Sequence, residues 1–348
     1  MKRGYLLVNF GGPRDLDEVT PFLKELLCDR DVVRSGLPSF VHNFLFSCIA
    51  KRRAKRICQE YTHIGGKSPI YDDTEQLADS LRKSLKGPLW TFHRYLPLSH
   101  QAFFDQFKLM QAMDEILVIP LFPQMSYATT GSIARFFQTK MPRDLWQKLR
   151  WIPSYPTYPG FIEAYKEKIE ESLKNLAWQE NEVAVLASFH GIPQSFVDRG
   201  DPYLGECERS FKAIQPHFPG IVWKMSFQSK FGPGEWIKPY TEQVCQDPHW
   251  TQGRRKILIV PLAFTSDHIE TLSEIENQYI PLLKAAGFEA KRVSALNSSS
   301  KFVDALTFLI QSYESDSKAI ANQFLVASYC SFPKLCLRFG TCACVKSS

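Results

Sequence analysis

Val185–Gly191 reads VLASFHG, and 179 positions earlier Leu6–Gly12 reads LLVNFGG. Each is a short apolar run closed by glycine, the pattern of a strand buried on both faces and ended by a tight turn. A second pair keeps the same order: Ile116–Leu121 is ILVIPL and Ile257–Leu262 is ILIVPL, 141 positions apart. The two offsets differ by 38, so the first half carries about 38 more residues between its two strands than the second half does. The chain therefore reads as two similar α/β halves. Their strands lie at Tyr5–Val8, Ile116–Leu121, Val183–Ala187 and Ile257–Leu262, and the join falls near WIPSYPTYPG at 151–160.

Between the strands lie helical patterns such as FIEAYKEKIEESLKNL at 161–176, with apolar residues at three- and four-residue steps. Strand and helix in alternation imply parallel sheets with right-handed crossovers, flanked by helices. In such sheets ligands sit beyond the carboxyl ends of the strands. Four segments lie there and can converge on one cleft: Phe10-Gly11-Gly12, Gln124-Met125-Ser126, Phe189-His190-Gly191 and Phe264–Glu270. The organisation that follows is a first domain at 1–155 with an insertion at about 14–60, a second domain at 156–320, and a tail at 321–348.

Length (348 residues), 44% apolar and 22% charged content are those of an ordinary globular chain. The net charge of +6 suits an anionic ligand or membrane surface but is too diffuse to argue for nucleic acid. No apolar run approaches the roughly 18 residues of a bilayer span, and Asn9 interrupts the only apolar stretch near the start. A cytoplasmic protein is expected, with any membrane contact peripheral to the inner face. Five of the nine cysteines are scattered, whereas Cys330, Cys336, Cys342 and Cys344 crowd into the end of the chain.

Gly11-Gly12-Pro13 lacks phosphate-loop spacing, and Pro13 removes a backbone donor, so a nucleotide site is disfavoured. The glycines make a tight turn and leave room for a flat ligand to approach the backbone. His190, beside Gly191 at a strand end, is either a satisfied core residue or an imidazole usable as a base near pH 7. No G-x-S-x-G elbow surrounds Ser188, which argues against a serine hydrolase. Asp267, Glu270 and Glu274 are spaced by three and four, so on an α-helix they stack on one face. Asp267 and Glu270 could simply cap that helix. Glu274 is left over by that reading, and a carboxylate column suits a hard divalent cation or a proton path. The insertion contains LPSFVHNFLF at 37–46 and then KRRAKR at 51–56. This is either a core helix with a solvated end, or a greasy lip over a flat ligand or against an anionic surface.

Together these stretches resemble the ferrochelatase family: VNFGGP at 8–13, IAKRRAKRI at 49–57, YTHIGGKSPI at 61–70, FPQMSYATTGS at 122–132, SFHGIP at 188–193, RGDPY at 199–203, FQSKFGPGEWIKP at 227–239 and VPLAFTSDHIETLSEI at 260–275. They run in order over residues 4–315, and the last is the most specific. The resemblance implies two Rossmann-like, chelatase-like domains facing a porphyrin cleft. It also implies insertion of Fe2+ into protoporphyrin IX, giving protohaem and two protons. No cofactor is required beyond the substrate iron.

By that resemblance His190 and Glu270 are the catalytic pair and the contacts of the metal, and Asp267, His268 and Glu274 continue a path for protons or iron. Phe10, Arg52, Arg53, Tyr61, Arg94, Trp236 and Phe264 match porphyrin-binding positions, Arg52 and Arg53 facing the propionates. Some members of the family hold a [2Fe–2S] cluster, for which Cys330, Cys336, Cys342 and Cys344 could supply ligands. In the animal form one ligand lies in the segment matching Gln124–Gly131, where this chain has Tyr127. Two rivals remain: coproporphyrin III as the porphyrin, and a porphyrin or haem carrier with no chemistry. Related chelatases acting on cobalt- or nickel-bound tetrapyrroles usually carry a second His in place of the acidic segment, so Glu270 argues against them. Monomer and homodimer are both left open.

Overall fold

The computed structural model describes residues 1–315. Eight strands form two sheets. The first contains β1 (Arg3–Asn9), β2 (Leu89–His93), β3 (Glu115–Pro120) and β4 (Leu149–Trp151), and the second β5 (Val183–His190), β6 (Val222–Gln228), β7 (Lys256–Val260) and β8 (Glu289–Arg292). All pairings are parallel, and the spatial orders are β2-β1-β3-β4 and β6-β5-β7-β8. The two orders are the same once the second sheet is renumbered. LLVNFGG and VLASFHG thus belong to equivalent strands, as do ILVIPL and ILIVPL.

The four strands read from sequence are the central ones of each sheet. Leu6, Leu7 and Val8, and likewise Val183 to Ala187, are fully buried, because helices cover both faces. The edge strands escape that reading: β8 is EAKR, whose alternation of exposed and buried residues carries no apolar run. His190 is the last residue of β5, paired with Gln228 of β6, rather than the first residue beyond the strand.

The chain's extra residues are α1 (Val19–Cys28) and α2 (Ser39–His63), packed against each other before α3 (Ile70–Arg82). In the second half a single long helix, Tyr203–Ile214, stands between β5 and β6. Leu7 and Ile119 of the first sheet share one continuous core with Val185 and Leu258 of the second. Helices Pro159–Leu176 and Ser300–Ser315, packed on one another, supply Tyr165, Ile169, Phe302 and Leu306 to that core. Arg3 pairs with Glu314 at 3.5 Å, so the final described helix rests on both halves.

In each half the loop after the third strand leads into a π-helix, Tyr127–Gly131 after β3 and Glu270–Tyr279 after β7. Spacing alone suggested an α-helix at the second position. The i→i+5 bonding found there is rare and concentrates at functional sites. Among the described residues no helix is long and apolar enough to cross a membrane. Cys330, Cys336, Cys342 and Cys344 lie outside the described residues.

Candidate active site

In both sheets the strand order reverses between the first and third strands of the half, and ligand crevices open at such switch points. His190 ends β5, and Glu270 opens the π-helix that follows β7, one on each side of the switch. They meet there: His190 Nδ1 lies 2.8 Å from Glu270 Oε2. Their side chains are 36% and 26% exposed, so the pair faces open space rather than the core. Burial alone would push both groups toward their neutral forms. Each partner's charge outweighs it, raising the pKa of His190 and holding Glu270 well below the usual carboxylate range. His190 Nε2 remains the ring nitrogen available to a ligand.

His268 joins the pair, its Nε2 3.7 Å from Glu270 Oε2 and its ring 4.8 Å from that of Phe264. Phe264 in turn stands edge-on to His190 at 6.4 Å. Trp236 bridges to Pro193, and a Cβ on Gly191 would come within 3.3 Å of its ring. From the first half, Phe10 packs on Tyr95 at 4.4 Å. Tyr61 is buried, and burial followed by the charge of Glu270 raises its pKa. Phe264 and Trp236 thus set aromatic surface beside the pair, while Phe10 and Tyr61 belong to a first-half cluster that Ile269, next to Glu270, packs against.

The carboxylate column has two members rather than three. Glu274 follows Glu270 on the π-helix and accepts from Gln228 Nε2 at 3.1 Å, Ser229 N at 2.9 Å and Tyr279 OH at 2.5 Å, and also from Ser229 Oγ. Burial, then the charge of Glu270, raises the Glu274 pKa despite these donors. Asp267 belongs elsewhere. Its carboxylate pairs with Arg292 Nη1 at 2.7 Å and accepts from Thr271 Oγ1 at 2.7 Å and Asn297 Nδ2 at 3.0 Å. Paired with the Arg292 cation, which Glu274 lacks, it anchors the loop that precedes the π-helix.

Arg94 also departs from expectation. Its guanidinium is committed to Glu25 at 2.6 Å, Asp29 at 2.8 Å and Ser132 at 3.0 Å, so it ties α1 to the first sheet instead of reaching into the pocket. Arg94→Met is expected to cost about 3 kcal/mol of unfolding free energy by stranding Asp29. The figure sits at the low end because Glu25 is one-third exposed. Urea unfolding midpoints check it; an unchanged midpoint with weakened ligand binding would return Arg94 to the pocket. Of the two lip arginines, Arg52 is exposed on α2, and Arg53 lies 4.1 Å over the ring of Phe231, across from the second half.

Reading the sequence missed Gln228, the last residue of β6, and Ser229 after it, which hold the π-helix. Both stand inside FQSKFGPGEWIKP, but a Gln-Ser pair at a strand end has no spacing that marks it locally.

Comparison with known proteins gives the family. A family model described as Ferrochelatase matches residues 2–314. A protein named ferrochelatase from Chlamydia caviae is 44% identical over 312 residues, covering 90% of this chain and 96% of that protein. One from Chlamydia trachomatis serovar A is 42% identical over 308 residues, covering 88% and 95%. Among solved structures, SirB from Bacillus subtilis with Fe3+ is similar at a TM-score of 0.50 and 15% identity, covering 92% of this chain and 98% of that one. That last likeness bears on the fold alone, the two-domain Rossmann-like chelatase architecture.

Proposed function

Because the chain belongs to the ferrochelatase family, a metal-chelating lyase acting on a porphyrin and Fe2+, we propose that its porphyrin is protoporphyrin IX and that His190 and Glu270 carry the chemistry. The observation that carries this reading is the 2.8 Å His190–Glu270 contact at the switch point of the second sheet.

Metallation replaces two pyrrole N–H protons with one Fe2+, so the core of the macrocycle stays neutral while two protons leave. His190 Nε2 accepts the first. The resulting imidazolium is held by the Glu270 carboxylate, whose low pKa keeps it charged through the transfer. From His190 the proton passes to Glu274, the neighbouring carboxylate, whose raised pKa suits it to hold one, and then to solvent, which frees the pair to take the second proton by the same route. Glu270, and His190 while its Nε2 is still unprotonated, offer the oxygen and nitrogen donors that replace water on the incoming iron. Phe10, Tyr61, Trp236 and Phe264 wall the macrocycle, and such walls favour an out-of-plane ring with exposed nitrogen lone pairs. Arg52 and Arg53 take the propionates.

Phe40 and Phe44 on α2 are 77% and 74% exposed. An apolar lip of this kind suits a porphyrin with only two carboxylates better than one with four. Followed by Lys51, Arg52, Lys55 and Arg56, it also supports peripheral contact with an anionic membrane. Turnover of the two porphyrins tests the substrate reading. At least tenfold higher kcat/KM for protoporphyrin IX than for coproporphyrin III is expected, and the reverse ratio would assign the chain to the second substrate.

A further inference from the structure

The structure assigns Gln228 as a positioning residue for the reacting pair. This inference rests on the reading of His190 and Glu270 given above. Gln228 is 1% exposed and ends β6 beside His190 in the β5–β6 ladder. Its Oε1 accepts from Ser188 Oγ at 2.7 Å. Its Nε2 donates to the backbone carbonyl of Glu270 at 3.0 Å and to Glu274 Oε2 at 3.1 Å. Its own carbonyl accepts from Gly191 N at 2.8 Å.

One amide therefore touches the strand that carries His190 on one side and the first turn of the π-helix that carries Glu270 on the other. The approach is close: a Cβ at Gly191 would lie 2.7 Å from the Gln228 carbonyl oxygen, so only glycine fits there. A primary amide suits the task, since it donates and accepts at once and stays uncharged at every working pH. Oε1 meets a hydroxyl donor, while Nε2 meets a carbonyl and a carboxylate, so neither end can be exchanged for the other. The π-helix is the element that most needs such a brace. Its i→i+5 bonding is intrinsically rare, and the carbonyl of its first residue is the atom that Gln228 engages. Fixing that carbonyl sets how far Glu270 stands from His190, and small errors there cost much in rate.

Gln228→Met fills the same volume without donors or acceptors. We expect kcat for metal insertion to fall at least tenfold, while porphyrin affinity read by fluorescence quenching stays within twofold. Ser188→Ala, a milder change at the far end of the same network, should lower kcat about threefold with porphyrin affinity unchanged, and it decides the matter if the Met variant does not fold. Wild-type kcat in the folded variants overturns the assignment, as does a parallel loss of porphyrin affinity and melting temperature, the signature of a merely structural side chain. Glu270→Gln and His190→Ala run alongside separate the two readings. If those variants are inactive and the Gln228 and Ser188 variants normal, only this inference fails; if those variants are active, the underlying assignment fails.

Discussion

Glu270→Gln is expected to lower kcat for iron or zinc insertion by about 10^3-fold, near 4 kcal/mol of barrier, while porphyrin affinity stays within threefold. The substitution keeps the shape of a side chain that is only 26% exposed and removes its charge. What is lost is the anion 2.8 Å from His190 that stabilises the imidazolium once the pyrrole proton has moved. General acid–base assistance of this kind contributes about 10^2- to 10^4-fold. In the proposed reading porphyrin contact rests instead on Phe10, Trp236 and Phe264, which the change leaves in place. Insertion assayed by loss of porphyrin fluorescence, with binding measured separately, distinguishes the outcomes. Unchanged turnover would remove Glu270 from the chemistry.

His190→Ala should reduce insertion by at least about 10^3-fold across the whole pH range, since His93, the imidazole that ends β2, is buried and held by Glu75 at 3.3 Å. The wild-type pH dependence carries the same assignment. Burial alone would lower the His190 pKa, but the Glu270 charge raises it above the ordinary value of about 6.5. The neutral, proton-accepting ring is therefore the minority form until pH passes that raised value, and kcat should climb through it. Stability runs the other way. The contribution of His190 is full below about pH 6.5 and is lost as pH rises through its raised pKa. That of Glu270, whose pKa is depressed, is present above about pH 4.3 and is lost as pH falls through its folded-state value. The ion pair thus stabilises the fold most between about pH 4.3 and 6.5, below the range in which the ring can act as a base. Glu270→Gln should move the acid limb of the residual activity to lower pH; a limb that stays put would mean that another group governs it.

Much of this was legible in the chain. Buried central strands write themselves as apolar runs, and a run followed by Gly or His marks the carboxyl end where a cleft opens. VLASFHG therefore located His190, and ILIVPL followed by the acidic segment located Glu270. The insertion of α1 and α2 followed from the unequal spacing of the two repeats. These are local properties, decided by side chains within a few residues of one another.

Partnership between distant residues is not local, and there the tertiary structure decided. Asp267, Glu270 and Glu274 look alike in sequence. Packing gave Asp267 the cation of Arg292, 25 positions on, and gave Glu270 the imidazole of His190, 80 positions back. Arg94 looked free for a ligand until α1 brought Glu25 and Asp29, 69 and 65 positions earlier, against its guanidinium. The polar edge strand EAKR and the π-helix likewise took shape only against their neighbours. The repeat of apolar runs determined the two-sheet fold and the ends of the strands where chemistry could sit. Which carboxylate meets the imidazole at the strand end and which meets a guanidinium was set by folding, and the energy of a charge in a protein depends on what lies within a few ångströms in space, wherever that partner lies along the chain.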